Sequence, residues 1–327
     1  QAKKSIRAKS KVVRWGIGLA AASLLVIIWV TSLNDSKTEK HTVSVSLRPK
    51  PADSTSASLY LSDGRKVMLA SLPNGEKLDE VGVTITRAGS GHLSYRPLPN
   101  ASSVSADTHL IHYNTLETPK GGQYKVTLPD GSNAWLNNAS SLRYPTVFAG
   151  DKREVYLSGE AYFEIAKNMR QSFLVHYAQQ GRLLTALVLG TTFNVRAYPD
   201  DVSSETTLLT GKIRVTGEHR SIVMKPDQQL VIPVKGRWRQ PKDINSDDII
   251  AWKEGLLHFD GNDPLQAFQD IERCYGRKIE VSGQLHTMQI AGSFKRSLPF
   301  LTLLNTLSQG GKNFHYAPKD DKILISR

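Results

Sequence analysis

Gly190 and Thr191 form the dipeptide with the most distinctive chemistry in this sequence. A threonine hydroxyl beside its own peptide carbonyl can attack that carbonyl and form an ester when the bond is strained and polarised. Gly190 has no side chain to hinder the attack. The pair predicts either a self-cleaving peptide bond or, because Gly-Thr is common in turns, an ordinary turn.

Three other groups of reactive side chains give weaker signals. His109 and His112 lie three residues apart, but no acidic or thiol ligand joins them at helical spacing, so we expect no metal site. Cys274 lies on the apolar face of a predicted helix, which indicates a buried, inert thiol. Glu160 and Glu164 share one face of a predicted strand, and we interpret that face as solvated.

The common enzyme motifs are absent. The sequence contains no G-x-S-x-G, H-E-x-x-H or G-x-x-x-x-G-K segment. Its single cysteine excludes an internal disulfide and a thiolate-rich metal centre. We therefore expect no cofactor and no substrate turnover, and an anchored hydrolase has no motif in its favour.

Residues 15–33 contain no charged side chain and organise the rest of the chain. A helix of this length spans about 28 Å, close to the thickness of a bilayer's hydrocarbon core. Six basic residues lie before Trp15, so the positive-inside rule places residues 1–14 in the cytoplasm and the bulk of the chain outside it. A cleaved secretory signal is the alternative, but the apolar run is long and no clear small-x-small site follows it.

The charge balance argues against a nucleic-acid partner. The formal net charge is +12, and the six basic residues before Trp15 supply half of it. The remainder is modestly basic and is expected on the side of the membrane away from DNA. The 327 residues allow about two globular domains.

Residues 59–244 carry the signals of β-strands, after a linker at 34–58 that is rich in Ser, Thr, Lys and Pro. The motif L-x-D-G-x-x-x-x-L occurs at 61–69 and again at 128–136. Each copy predicts a tight hairpin, and two copies suggest a repetitive β architecture. We predict mostly loop at 75–106, with one strand at 81–87.

From residue 124 to 232, apolar and polar residues alternate with period two, and no amphipathic helix interrupts them. This pattern predicts an all-β domain built as a sandwich, barrel or solenoid. Residues 245–327 change to a βαββαβ order, with Ser246 as the cap of a first short helix and Gly276 as the end of the next. The predicted fold class is therefore mainly β plus α+β, with one N-terminal transmembrane helix.

The run YNTLETPKGGQYKVTLPDGSNAWLNNASSLRYP at 113–145 resembles the core of FecR-family proteins, especially the Bacteroidetes branch. The likeness continues in order through VYLSGEAYFEIAKN, VLGTTFNVRAY, TTLLTGKIRV and IAWKEGLLHFDG. The C-terminal α+β unit is similar to the small signalling domain shared by secretins and TonB-dependent transporters.

The resemblance implies a single-pass inner-membrane regulator of cell-surface signalling, with its N-terminus in the cytoplasm and its bulk in the periplasm. It implies two partners: an extracytoplasmic-function sigma factor, and the N-terminal signalling domain of an outer-membrane TonB-dependent transporter. An anti-sigma and a pro-sigma role both remain open. Residues 1–14 are too few for the sigma-binding domain of the family, so we expect that domain to be missing upstream of Gln1.

The resemblance also bears on the Gly-Thr pair. Some members of the family cleave themselves at a matching pair by an N-to-O acyl shift, after which periplasmic and intramembrane proteases release a sigma-binding fragment. On that basis Gly190 and Thr191 are the predicted cleavage site, with the Thr191 hydroxyl as nucleophile.

The transporter is expected to bind the C-terminal unit by adding a strand to an exposed sheet edge. The predicted edge consists of Lys322, Ile323, Leu324, Ile325 and Ser326. The alternative function is a membrane-anchored periplasmic module that binds a glycan or peptide on the β domain. Its predicted stacking platform consists of Trp135, Tyr144, Tyr156 and Tyr162, although Trp135 is expected to point into the core of its hairpin.

Overall fold

The computed structural model describes residues 57–89, 91–99, 111–261, 263–283, 288–310 and 314–326. The predicted cytoplasmic arm, the predicted transmembrane segment at 15–33 and nearly all of the linker lie outside these residues, as does His109. Within the described ranges, no helix is both long enough and apolar enough to cross a membrane.

The first eighteen strands of the described residues form a curled, mainly β structure, here called the β body. They are β1 Ser58–Tyr60, β2 Lys66–Met68, β3 Lys77–Glu80, β4 Val83–Arg87, β5 His92–Pro97, β6 Tyr113–Glu117, β7 Tyr124–Thr127, β8 Asn133–Leu136, β9 Ser141–Pro145, β10 Lys152–Glu164, β11 Ser172–Gln179, β12 Arg182–Val188, β13 Thr192–Ala197, β14 Ser203–Thr210, β15 Ile213–Thr216, β16 Ser221–Met224, β17 Gln228–Pro233 and β18 Lys242–Asp243.

Two sheets make up the β body. Sheet A has the order β2-β1-β6-β9-β10-β11-β12-β15-β16. Sheet B has the order β3-β4-β5-β7-β8-β10-β13-β14-β17-β18. Neighbouring strands are antiparallel except in the pairs β10–β11 and β5–β7. Residues of both sheets, such as Leu59 and Val126, pack into one hydrophobic core, so the mainly β prediction is confirmed.

Strand β10 belongs to both sheets. Up to Ser158 it pairs with β9 and β11 in sheet A, and from Gly159 it pairs with β13 in sheet B. Gly159 has φ +98°, and a Cβ at this position would lie 2.7 Å from the Ser140 Cα. Glycine is required where the strand changes sheet, because a larger residue would be strained at this positive φ and would also clash with Ser140.

The two L-x-D-G motifs form the predicted hairpins with the same hydrogen bonds. In each turn the leucine carbonyl accepts from the glycine N–H, at 3.0 Å in the first and 2.9 Å in the second. Each aspartate accepts from the backbone N–H two residues later. The aspartates are Asp63 and Asp130, and the leucines are Leu61 and Leu128. Local sequence therefore determines both turns.

The strand predicted at 81–87 is confirmed as β4, but the loop predicted over the rest of 75–106 is wrong where β3 and β5 form on either side of it. Val83, Ile85, Leu93 and Tyr95 from these strands are buried in the core. Each strand has only four to six residues, so the alternation of apolar residues is too short to stand out in the sequence.

The remaining elements form the C-terminal unit. They are α1 Ser246–Ile250, a 3-10 helix at Ala251–Glu254, β19 Leu256–Asp260, α2 Pro264–Tyr275, β20 Lys278–Val281, β21 Ala291–Lys295, α3 Phe300–Gly310, β22 His315–Lys319 and β23 Lys322–Ser326. Strand β19 pairs with β21, and β23 lies between β20 and β22. A second core, which includes Phe268, Leu303 and Ile325, fills this unit. From β19 onward the order is βαββαββ, one strand more than predicted.

The helix caps follow the sequence closely, with one correction. Asp263 caps α2 with Pro264 as its first residue, and Gly276 ends that helix with φ +64°. The predicted cap of α1 is wrong: Asn245 caps this helix, and Ser246 is its first residue. The Ser246 hydroxyl instead donates to the Asp227 carboxylate at 2.8 Å, a tertiary contact that competes with capping.

We expect Gly159→Ala to lower the free energy of unfolding by about 3 kcal/mol, because it adds backbone strain to a steric overlap with Ser140. Chemical denaturation of the full chain measures the change. Gly150→Ala is the matched control, since Gly150 also has positive φ, +72°, but nothing lies within 4 Å of its Cβ position. The control should lose only about 1 kcal/mol. Equal losses would show that close packing at Gly159 is unimportant.

Candidate functional site

Arg196 lies buried between the β body and the C-terminal unit, on strand β13. Its Nε donates to the Asp201 carboxylate at 2.8 Å. Its two Nη atoms donate to the two oxygens of Asp270 at 2.8 and 3.1 Å. Because Asp270 is on α2, this bidentate pair joins the two parts of the protein with fixed geometry.

Arg273, on α2, also donates to several aspartates. Its Nη2 donates to Asp200 at 2.7 Å and to Asp201 at 2.6 Å, and its Nη1 donates to Asp270 at 3.0 Å. Asp201 and Asp270 thus each accept from both arginines. We call Arg196, Asp201, Asp270 and Arg273 the ionic junction.

Local structure explains how the ionic junction is assembled. Asp270 and Arg273 are three residues apart and therefore share one face of α2. Asp201 closes the turn after β13, where its N–H donates to the Tyr198 carbonyl at 3.1 Å. The Tyr198 ring lies 3.9 Å from the Arg273 Cζ and 5.1 Å from the Arg196 Cζ. Cation–π contact with this ring supports both guanidinium groups.

Glu160 lies directly beside the ionic junction, 3.9 Å from Arg196. Its carboxylate accepts from the amide groups of Asn137 at 2.8 Å and Asn194 at 3.0 Å. The interpretation of Glu160 as part of a solvated face is wrong, since only 4% of this residue is exposed. The C-terminal unit covers the outer face of sheet B at this point, which strand periodicity cannot reveal.

Burial and charge pairing have opposite effects on the pKa values in this cluster. Burial raises the pKa of Glu160 above its ordinary value, and the charge of Arg196 counteracts part of the shift. Burial alone would lower the pKa of Arg196, but the carboxylates of Asp270, Asp201 and Glu160 raise it well above the usual value. Burial also raises the pKa of Glu205, the cross-strand partner of Arg196, to about 7. The arginines therefore stay charged, and their carboxylate partners hold them in place.

Further polar contacts join the two parts around the ionic junction. Arg296 donates to the side-chain oxygens of Asn137, at 3.0 Å, and Asn138. The Gly121 N–H donates to the Arg273 carbonyl at 2.7 Å. Lys120 pairs with Glu272 at 2.6 Å. The C-terminal unit is thus tied to the β body at several points.

Gly190 and Thr191 lie in the connection between β12 and β13, where the chain is tightly packed. Thr191 is 4% exposed, and its hydroxyl donates to the Lys212 carbonyl at 3.2 Å. The Thr191 carbonyl accepts from the Ile165 N–H at 3.0 Å. A Cβ on Gly190 would lie 2.8 Å from the Lys167 Cα, so the position requires glycine. The geometry places the hydroxyl inside the fold, and cleavage at this bond stays a prediction.

The pairing of β13 with β14 is irregular immediately after this bond. Thr192 lies opposite Thr210, whereas Phe193 lies opposite Leu208, so β14 contains an extra residue. Such bulges often redirect side chains next to reactive positions. The bulge brings Gly211 against the Gly-Thr peptide, where a Cβ would lie 3.0 Å from the Thr191 hydroxyl oxygen.

The predicted edge strand is in the wrong place. Residues Lys322–Ser326 form β23, which has β20 on one side and β22 on the other. Both rows of its backbone groups are therefore already occupied, and Ile323 and Ile325 point into the core. The sequence could not reveal this, because the parallel partner β20 lies more than forty residues away along the chain. Contact between these residues and a partner stays a prediction.

The four aromatic residues of the predicted stacking platform do not form one surface. Tyr144 is fully buried, and its ring packs against Tyr95. Tyr156 lies on sheet A, with its ring stacked on His176. Trp135 does not point into the core as expected. It lies on the outer face of sheet B, where its ring meets Tyr162 at 5.5 Å and the Lys253 ammonium at 5.1 Å.

Cys274 is buried as predicted, with 4% of the residue exposed on the inner face of α2. Burial raises the pKa of its thiol, so the reactive thiolate is disfavoured. Sequence reasoning missed the ionic junction altogether. The only local signal was the Asp270-Arg273 spacing on one helix, because the partners on β13 and in the turn after it lie more than seventy residues away.

We expect Asp270→Asn to lower the free energy of unfolding by about 3 kcal/mol, because the buried Arg196 and Arg273 both lose a counter-charge. Chemical denaturation of the full chain measures the loss. Lys120→Gln is the matched control, because the Lys120–Glu272 pair also links the two parts but is half exposed. The control should cost less than about 1 kcal/mol. A small loss in Asp270→Asn would contradict a structural role for the junction.

The chain matches two family models and resembles solved structures. A model described as FecR protein matches residues 114–214, and a model described as FecR, C-terminal matches residues 256–325. Two crystal structures of a putative anti-sigma factor from Parabacteroides distasonis ATCC 8503, at 2.50 and 1.65 Å, are similar in fold, with TM-scores of 0.60 and 0.59. Both are 27% identical to this chain.

The alignments cover 66% and 64% of this chain and 99% and 97% of the solved chains. No curated protein matches the sequence. The first family model matches the middle of the β body and the second matches most of the C-terminal unit, in the order that the sequence motifs indicated. The chain belongs to the FecR family.

Proposed function

We propose that this chain is an anti-sigma regulator, with a regulatory rather than an enzymatic role. The observation that carries the proposal is the joint match of both FecR models, together with the similarity to the anti-sigma factor structures from Parabacteroides distasonis. The implied cytoplasmic partner is an extracytoplasmic-function sigma factor.

The finer proposal is a relay between two membranes. The chain is anchored in the inner membrane by residues 15–33, with its bulk in the periplasm. There it receives the state of an outer-membrane TonB-dependent transporter through the signalling domain of that transporter. The charge asymmetry around residues 15–33 supports this topology. The ionic junction supports the relay, because a force on the C-terminal unit would pass through α2 to strand β13.

We place the docking edge for the transporter on β21 rather than on β23. Among the strands that the structure describes, β21 pairs with β19 alone, and most of its residues are exposed. The Arg296 N–H donates to the Gly255 carbonyl directly opposite, so this pair is a hydrogen-bonded one. In an antiparallel ladder, hydrogen-bonded and non-hydrogen-bonded pairs alternate. Lys295, Ser293 and Ala291 belong to non-hydrogen-bonded pairs, so their N–H groups point away from β19. Edge β20 is less accessible, because the Glu272 carboxylate accepts from the Ile279 N–H.

We expect Ser293→Pro to weaken binding of the transporter's signalling domain by about tenfold, because proline removes one outward N–H without breaking the β19–β21 ladder. Isothermal titration calorimetry with the full chain measures the affinity. Ser293→Ala is the control, since it removes the same hydroxyl but keeps the N–H. Equal affinities of the two variants would rule out strand addition at β21.

Self-cleavage at Gly190-Thr191 is the second part of the proposed mechanism. The Thr191 oxygen attacks the Gly190 carbonyl carbon, the peptide C–N bond breaks, and the Thr191 nitrogen takes up the proton as an ester forms. Water then hydrolyses the ester to two chains. Periplasmic and intramembrane proteases would act afterwards. In the folded protein the buried Thr191 hydroxyl donates to the Lys212 carbonyl. It has to break this hydrogen bond before it can attack the Gly190 carbonyl.

We expect Thr191→Ala to abolish cleavage, because no other atom of that side chain can act as nucleophile. Gel electrophoresis and N-terminal sequencing of the full chain would detect a fragment that begins at Thr191 in the unmodified protein. Thr192→Ala is the matched control one residue further on and should cleave normally. A fragment with the same start in Thr191→Ala would eliminate the acyl-shift mechanism.

A further inference from the structure

A cleft of about 860 Å³ separates part of sheet B from the C-terminal unit. Its sheet wall is the outer face of β13, β14 and β17, and the opposite wall comes from the 3-10 helix, β19 and α2. The volume lies within the range of pockets that hold small molecules. Arg196, Asp270 and Arg273 of the ionic junction form its inner end, and the rest of the cleft has no part in the proposed relay.

Neutral polar side chains line up across the sheet wall. Asn194 on β13 lies opposite Thr207 on β14, and Thr207 lies opposite Gln229 on β17. All three residues line the cleft. Cross-strand neighbours on one face lie about 5 Å apart. The row therefore offers amide and hydroxyl groups at regular spacing along one wall.

The charged groups at the inner end are already paired. Glu160 accepts from two asparagine amides and lies beside Arg196. Arg196 is in turn matched by Asp201 and Asp270. The guanidinium groups are already held by carboxylates, which outnumber them, so the inner end disfavours an anionic ligand.

Two buried polar atoms on this lining lack a partner within the described part of the chain. They are the side-chain oxygen of Asn194, a residue that is 1% exposed, and the indole nitrogen of Trp252, a residue that is 7% exposed. The Asn194 oxygen needs a donor, and the Trp252 N–H needs an acceptor. Buried polar groups nearly always have hydrogen-bond partners, so each such exception calls for an explanation.

We propose that this cleft binds a small neutral saccharide that carries amide groups, of the N-acetylated amino-sugar class. Its hydroxyl groups would donate to the Asn194 oxygen, and an acetamide carbonyl would accept from the Trp252 N–H. Both atoms are closed to solvent, so the ligand has to part the two walls slightly as it enters. The remaining hydroxyls match the row of Thr207 and Gln229.

Calorimetric titration of the full chain with N,N′-diacetylchitobiose, in a detergent without a sugar headgroup, tests the proposal. We expect saturable binding, and we expect Trp252→Phe to weaken it by about tenfold, because the variant keeps the ring shape but loses the N–H. Trp135→Phe is the matched control, since Trp135 lies outside the cleft lining, and it should bind like the unmodified protein.

Absence of binding heat in the unmodified, folded protein would overturn the proposal. So would equal affinity in Trp252→Phe, or an equal loss in Trp135→Phe. Circular dichroism of each variant confirms that it has folded. The result does not depend on the transporter, because the titration contains no partner protein.

Discussion

The pairing of Arg196 and Arg273 with Asp201 and Asp270 is the interaction on which the arrangement of the two parts depends. Each aspartate accepts from both arginines, so no single group can leave without stranding a buried charge. Ionic pairs of this kind add little net stability, but breaking one is costly. The junction therefore fixes the orientation of α2 on sheet B more than it strengthens the fold.

Close approach of backbones is the second constraint, and glycine meets it at two places. Gly159 lets β10 pass from sheet A to sheet B, so that the strand can present Glu160 to the ionic junction. Gly190 lets the Gly-Thr peptide lie against Lys167. The packing that stabilises the β body therefore also encloses the Gly190-Thr191 peptide bond, at which we propose cleavage.

Much of the fold could be predicted from short-range sequence signals. The hairpins at Asp63 and Asp130 form as expected, because an Asp-Gly pair makes its turn through its own backbone and side chain. The caps of α2 form for the same reason. The predictions for Ser246, for the edge at β23 and for Glu160 fail. In each case the outcome depends on contacts with another part of the chain, which the local pattern of residues does not show.

Local sequence signals were enough to predict the two Asp-Gly hairpins, the caps of α2, the mainly β character of the fold and the family of the chain. These properties depend on neighbouring residues, whose spacing is visible in one dimension. The contact of Arg196 with Asp270, seventy-four positions away, and the meeting of Asn194 and Trp252 at one cleft arise from the tertiary structure. Such contacts depend on how the sheets curl and on where the C-terminal unit packs, and no local pattern of residues encodes that geometry.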